Sequence, residues 1–180
     1  MHENIVAAPE LAGEGLQKIE WVRRNMPILR KIQSEFEKEQ PFVGKRITVC
    51  IHLEAKTAFL ALVLRSGGAQ VSVTGSNPES TKDDVVAALA EEGLRVYARH
   101  GAEPNEMRKY MEMALDFKPH LVIDDGGDLV EILHETRTEL LEGMLGACEE
   151  TTTGVLRAQA RAKAAQLQFP VMLVNEARCK

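Results

Sequence analysis

The stretch KRITVCIHLEAKTAFLALVLRSGGAQVSVTGSN, residues 45–77, decides the fold. It opens on a short β-branched run, KRITVCIH, passes through a helical segment, EAKTAFLALVLRSGG, and returns to a second β-rich run, AQVSVTGSN. β-branched residues suit the pleated surface of a sheet, and glycine stops a helix. Strand, helix and strand in that order predict a right-handed βαβ unit with parallel strands.

Outward from that unit the alternation continues. TKDDVVAALAEEG (81–93) reads as helix, LRVYAR (94–99) as strand and PNEMRKYMEMALDFKP (104–119) as helix. HLVIDDGG (120–127) is a fourth strand, and DLVEILHETRTELLEG (128–143) is helical. A helix beginning at Thr151 leads to a fifth and last strand, LQFPVMLVN (167–175). Helices end on Gly67, Gly93 and Gly143 or before Pro119. The expected fold is α/β, a doubly wound, Rossmann-like parallel sheet. Upstream, Leu16, Ile19, Val22, Met26, Leu29, Ile32 and Phe36 repeat at helical spacing, with Pro27 placed to kink or split the helix. The expected organisation is an amino-terminal helical segment, 1–43, packed on the sheet, and an α/β domain, 44–180. Trp21 is expected to anchor the first helix on the sheet; Met107, Met111 and Met113 are expected to pack their helix.

At 180 residues the chain is long enough for one domain with a real core. A net charge of −5 argues against a nucleic-acid footprint. No apolar run approaches the ~20 residues that a membrane helix needs, and MHENIVAAPELAGEG lacks the basic and apolar regions of a signal peptide. Cys50, Cys148 and Cys179 are scattered, with no CxxC. They read as free thiols in a reducing, cytoplasmic compartment, and no metal site is expected.

In open α/β sheets, ligands bind outside the carboxyl ends of the strands. His52 and Glu54 follow the first strand; Thr74, Ser76 and Asn77 end the second. Asp124, Asp125, Gly126 and Gly127 close the fourth, and Asn175 the last. One polar, glycine-lined rim results. Each residue has a plainer reading. Asp-Asp-Gly-Gly-Asp suits a turn plus a helix cap, His52 suits a core histidine, and Lys56 and Lys82 suit surface charges. CEETTTG (148–154) sets two carboxylates and three threonines before the helical VLRAQARAKAAQLQ. Glu149 and Glu150 fit solvated first-turn acids. One cap needs one hydroxyl, so the spare threonines suit a polar ligand at the helix start.

At this point the chain resembles the amino-terminal part of the S-adenosyl-L-homocysteine hydrolases, the adenosylhomocysteinases. The resemblance rests on IEWVRRNMPILRKI (19–32), IHLEAKTAFLA (51–61), TGSNPESTKDDVVAALAEEG (74–93), VIDDGGDL (122–129), EETTTGV (149–155) and FPVMLVN (169–175). These motifs keep the family's order and spacing over nearly the whole chain, and DDGGDL followed about two dozen residues later by EETTTG is the specific combination.

The resemblance implies a redox-assisted hydrolysis. A tightly bound NAD takes hydride from the ribose 3′-hydroxyl, which acidifies the C4′ proton. Homocysteine is then eliminated from C5′, water adds, and the ketone is reduced back. By the same resemblance, Glu150 binds the ribose hydroxyls near the 3′ position and Lys180 assists their deprotonation. Asp125 and His52 are the acid/base pair near C4′ and C5′, and Asn175 faces the ribose and nicotinamide. Thr151, Thr152 and Thr153 touch NAD. The partners are small molecules (S-adenosyl-L-homocysteine, adenosine and homocysteine), with no nucleic acid or membrane, and the full-length form is a homotetramer.

Departures from the family pattern also carry information. After His52 the chain reads Leu-Glu-Ala-Lys-Thr, the form of the archaeal and thermophilic-bacterial branch, where many members have threonine at Glu54 and glutamate at Lys56. Those positions lie by the purine. Adenine is the first expectation, and hypoxanthine, in S-inosyl-L-homocysteine, the alternative. Glu176 stands in place of the usual aspartate. No GxGxxG follows a predicted strand, so the expectation is a part of a longer enzyme, inactive alone. A stand-alone nucleoside-binding module and a truncated protein acting through a full-length partner remain the alternatives.

Overall fold

The computed structural model describes residues 3–178. Met26 leaves the helical region at φ −115° and ψ 75°, and Pro27 opens the next helix. The amino-terminal segment is therefore split into α1 (Ala12–Asn25) and α2 (Pro27–Glu39). Then follow β1 (Arg46–Ile51), α3 (Ala55–Ser66), β2 (Gln70–Gly75), α4 (Asp83–Glu91), β3 (Arg95–Tyr97), α5 (Pro104–Leu115), β4 (Leu121–Asp124), α6 (Asp128–Glu135), β5 (Gly146–Glu149), α7 (Thr152–Lys163) and β6 (Val171–Leu173).

Among the described residues all six strands are parallel, in the order β3-β2-β1-β4-β5-β6, the doubly wound arrangement. The order reverses between β1 and β4, so connections leave that pair in opposite directions and open a crevice at their carboxyl ends. Register aligns the crevice: Thr74, Cys50, Asp124, Glu149 and Leu173 form one row across the sheet. His52, Ser76, Asp125, Glu150 and Asn175 lie one or two positions beyond that row.

The sheet is apolar on both faces. Ile47, Val49, Val71 and Val73 share one core with Ile19 and Val22 of α1, Phe59 of α3 and Leu89 of α4. Cys50, Val122 and Ala147 share the other with Met107 and Met111 of α5 and Leu129 and Leu133 of α6. On the first face, an apolar groove of about 390 Å³ runs along β4 to β6, lined by Leu121, Ile123, Cys148 and Met172 and bordered by Phe42 and Leu64. Among the described residues, no helix is long and apolar enough to cross a membrane.

Three expectations are corrected. Trp21 is no anchor: it is 66% exposed, while Ala12, Gly15, Ile19 and Val22 form the buried stripe of α1. Trp21 sits one residue away from that stripe, and at 3.6 residues per turn one step rotates a side chain off the packed face. The helix over 128–143 stops at Glu135, and Thr138–Gly143 is a separate 3₁₀ turn. The Arg137 guanidinium fixes that break by bonding Asp116 Oδ1 at 2.9 Å and Glu139 Oε1 at 2.6 Å. The sheet also has a sixth strand, β5, whose Gly-Ala-Cys-Glu is too short and too poor in β-branched residues to register as one. The signal was indirect: two successive helical segments leave a strand missing from a βαβ alternation.

α1 lies close against α4 because residue 15 has no side chain. A Cβ there would sit 2.0 Å from the Asp84 carbonyl oxygen and 2.9 Å from Ala88 Cβ. Alanine normally gains about 1 kcal/mol of helix propensity over glycine. Forcing two packed helices apart costs typically 1–3 kcal/mol. Gly15→Ala should therefore lower the unfolding free energy in urea, against its propensity; a gain in stability would show that the seam yields freely.

Candidate functional site

The Asp124–Asp125 doublet divides the two readings of its motif between neighbours. Asp124, fully buried at the end of β4, accepts from the Asp125 N–H at 3.1 Å and from the Val130 N–H, in the first turn of α6, at 3.0 Å. It is the turn and cap residue. Gly126 and Gly127, at φ 106° and 82°, turn the chain back over it through a region closed to most side chains. Asp125, 8% exposed, faces β1 and β2 instead. Its Oδ2 accepts the Ser76 hydroxyl at 2.7 Å and lies 3.5 Å from His52 Nε2.

His52 is not a core histidine; its side chain is 53% exposed on the loop after β1. Its carbonyl accepts the Thr57 hydroxyl, and its Nδ1 lies 2.6 Å from Ser80 Oγ. Glu54 caps α3, accepting from the Lys56 N–H at 3.2 Å, and the mostly exposed Lys56 ammonium stands 4.0 Å from the same carboxylate. The cap fixes Glu54 beside His52.

CEETTTG carries a role that periodicity hides. Glu149 is no solvated acid: it ends β5 at 1% exposure. Its Oε1 accepts the Gly126 N–H at 3.0 Å, the Thr151 N–H at 2.8 Å and the Thr151 hydroxyl at 2.9 Å. Thr151 in turn caps α7, accepting from the Gly154 N–H at 3.4 Å. Glu150 stands exposed on the rim, with its N–H on the Asp124 carbonyl at 3.1 Å. Thr152 and Thr153 are exposed in the first turn of α7. Asn175, arriving from β6, donates to Thr152 Oγ1 at 3.3 Å and Glu176 Oε1 at 3.2 Å.

The structure thus joins His52 with Asp125, places Glu150 at the next strand end, and brings Asn175 onto the threonine run. Lys180 lies outside the described residues. Sequence reasoning missed Glu149 and Ser80. The Asn-Pro turn at 77–78 was the available signal for Ser80, since Asn77 Oδ1 collects the Glu79 N–H at 2.9 Å and the Ser80 N–H at 3.4 Å and folds that segment back.

The rim is acidic. Burial, reinforced by the Glu149 carboxylate beside it in register, pushes the Asp124 carboxyl up to about 8. The arrangement sets an imidazole beside a carboxylate and offers exposed carboxylate and hydroxyl groups that can bind hydroxyls.

Comparison with known proteins agrees with the motifs. Residues 3–142 match the sequence model of the S-adenosyl-L-homocysteine hydrolase family. An adenosylhomocysteinase of Pyrococcus abyssi is 53% identical over 170 residues, covering 94% of this chain and 40% of that protein. An S-inosyl-L-homocysteine hydrolase of Methanocaldococcus jannaschii is 50% identical over 167 residues, covering 93% and 40%. An adenosylhomocysteinase of Thermotoga maritima is 48% identical over 166 residues, covering 92% and 41%. The chain spans about 40% of the length of the curated relatives it matches.

Two outcomes follow for stability. Asp124 titrates near 3.8 in an unfolded chain and near 8 when folded. The folded state holds the extra proton across that window, so this contribution is complete below about pH 4 and is lost as pH rises through about 8. Asp124→Asn should flatten the fall of unfolding free energy between about pH 5 and pH 8; an unaltered slope would mean that Asp124 ionises normally. Gly154→Ala would set a Cβ 2.0 Å from Glu149 Cδ. It should destabilise the chain by about 1–3 kcal/mol in urea, and a neutral effect would show that Glu149 moves aside without loss.

Proposed function

The chain belongs to the S-adenosyl-L-homocysteine hydrolase family, and we propose that its sheet rim is the nucleoside-binding part of a reversible thioether hydrolase site. The observation that carries this reading is the His52–Asp125 pair, 3.5 Å apart across the β1/β4 reversal, with Glu150 at the next strand end. In this reading, residues 1–43 form a helical segment and 44–180 the substrate domain. Asp125 and His52 hold and move the proton at C4′ and C5′ of the ribose. Glu150 accepts from a ribose hydroxyl near the 3′ position, and Lys180 assists its deprotonation. Asn175 faces the ribose and nicotinamide.

NAD, when bound, supplies the hydride acceptor. Thr151, Thr152 and Thr153 are the residues of this chain that would hold it. The fit is chemical: the exposed Thr152 and Thr153 hydroxyls at the start of α7 suit a polar group, while Thr151, engaged with Glu149 and Gly154, shapes the turn that presents them. The working form is a cytoplasmic homotetramer acting on S-adenosyl-L-homocysteine, adenosine and homocysteine, without a nucleic-acid or membrane partner. The net charge of −5 supports the exclusion of nucleic acid.

S-inosyl-L-homocysteine is the second reading. Glu54 Oε1 and Lys56 Nζ, 4.0 Å apart, offer an acceptor and a donor side by side. That pair matches the ring N–H and 6-oxo group of hypoxanthine, and a relative 50% identical is named for that substrate. With adenine, Glu54 accepts from the 6-amino group.

Isothermal titration of the chain with adenosine, inosine and NAD separately tests the site. A nucleoside should bind, and the preferred one identifies the base. Glu150→Gln should weaken it about tenfold or more, the loss of a charge-assisted hydrogen bond of about 1.5–3 kcal/mol. Equal affinity of wild type and Glu150→Gln would remove Glu150 from the site.

A further inference from the structure

We propose that Ser80 is a positioning residue: it holds the hydrogen of neutral His52 on Nδ1 and so leaves Nε2 as the proton-accepting atom facing Asp125. The inference rests on the reading of His52 as a proton carrier.

Hydrogen counting carries it. Ser80 Oγ lies 2.6 Å from His52 Nδ1 and 3.1 Å from the Asn77 carbonyl oxygen. A hydroxyl has one hydrogen, and a carbonyl oxygen only accepts. With that hydrogen in the bond to Asn77, the Ser80 lone pair is left to accept from Nδ1–H. A neutral imidazole carries a single N–H, so Nε2 keeps its lone pair.

The other side of the ring agrees independently. Nε2 stands 3.5 Å from Asp125 Oδ2, beyond the 2.7–3.2 Å of an N–H···O bond, and that oxygen already receives the Ser76 hydroxyl at 2.7 Å. A hydrogen on Nε2 would draw the two together. Glu54 and Lys56 lie on the ring's own segment, and Glu79 and Lys82 on the segment that carries Ser80.

Ser80 is itself held. Its N–H reaches Asn77 Oδ1, the Asn77 carbonyl also takes the Thr81 N–H at 3.2 Å and hydroxyl at 2.9 Å, and the Lys82 N–H bonds the Leu53 carbonyl at 3.0 Å. Gly75 leaves room for this: a Cβ there would meet Thr81 Oγ1 at 2.7 Å. The loop that carries Ser80 is thus fixed against the strand end that carries His52.

Nitrogen-15 NMR of the imidazoles reads the tautomer directly. The 180-residue chain with labelled histidine is recorded at a pH where the ring is neutral, with His52 assigned by the signal lost in His52→Asn. Wild type and Ser80→Thr, which keeps the hydroxyl, should show the hydrogen on Nδ1; Ser80→Ala should shift it to Nε2. Unchanged His120 and His134 signals in Ser80→Ala would mark the shift as local. A wild-type hydrogen on Nε2 overturns the proposal even if Ser80→Ala fails to fold, as does Nδ1–H retained in Ser80→Ala. The spectrum reads the ring and not turnover, so failure of the chain to bind any nucleoside would sink the functional reading and leave this one standing.

Discussion

One oxygen, Glu149 Oε1, gathers an N–H from the β4–α6 loop and an N–H and a hydroxyl from the β5–α7 turn. The rest of the rim depends on it. Burying a carboxyl is expensive unless donors meet it, and the donors to this oxygen come from both loops, which the Glu150 N–H on the Asp124 carbonyl and the Arg157–Asp128 ion pair also join. The clamp dictates local sequence. Gly154 is required because any Cβ would collide with the Glu149 carboxyl. Gly126 offers its N–H from a positive-φ turn. Thr151 serves twice, as cap of α7 and as donor to Glu149.

The clamp also explains why acids occur in pairs. Asp124 and Glu149 are partners in register on β4 and β5, both buried, and each is followed by another acid. In both doublets the first member binds backbone N–H groups and fixes a loop, and the second reaches the rim. Two neighbouring buried carboxyls do not both ionise freely. Asp124, buried beside Glu149, is pushed up and keeps its proton into neutral pH. The buried pair thus holds Asp125 and Glu150 while limiting charge inside the sheet.

Much of this was legible in sequence. β-branched runs between helical segments gave five strands, their parallel direction and the polar rim, because local propensity and topology agree there. β5 was hidden because register and burial, not side-chain propensity, make Gly146–Glu149 a strand. Trp21 misled because size suggested an anchor, whereas the packed face of α1 is chosen by the spacing of Ala12, Gly15, Ile19 and Val22. The identity of the candidate residues came through motif resemblance, and their roles divided only in three dimensions. Glu149 and Glu150 are equivalent as letters, yet β5 ends at Glu149, whose carboxyl is buried, and Glu150 lies beyond the strand end and is exposed.

The order of the strand ends fixes an order along the rim. Neighbouring strands lie about 4.8 Å apart, so the ends of β1 and β5, with β4 between them, are roughly 10 Å apart. From β1 outward come Glu54 and His52, then Asp125 on β4, Glu150 on β5, and Thr152 with Asn175 where α7 meets β6. A nucleoside lying across the strands has a matching length and order of groups. On the proposed reading its base would meet Glu54, its C4′ and C5′ carbons His52 and Asp125, and its 3′ hydroxyl Glu150. A ligand lying along a strand would reach only one of these groups. The proposed site is therefore a consequence of strand order: the reversal between β1 and β4 opens the crevice, and the spacing of the sheet divides proton transfer and hydroxyl binding among separate strand ends.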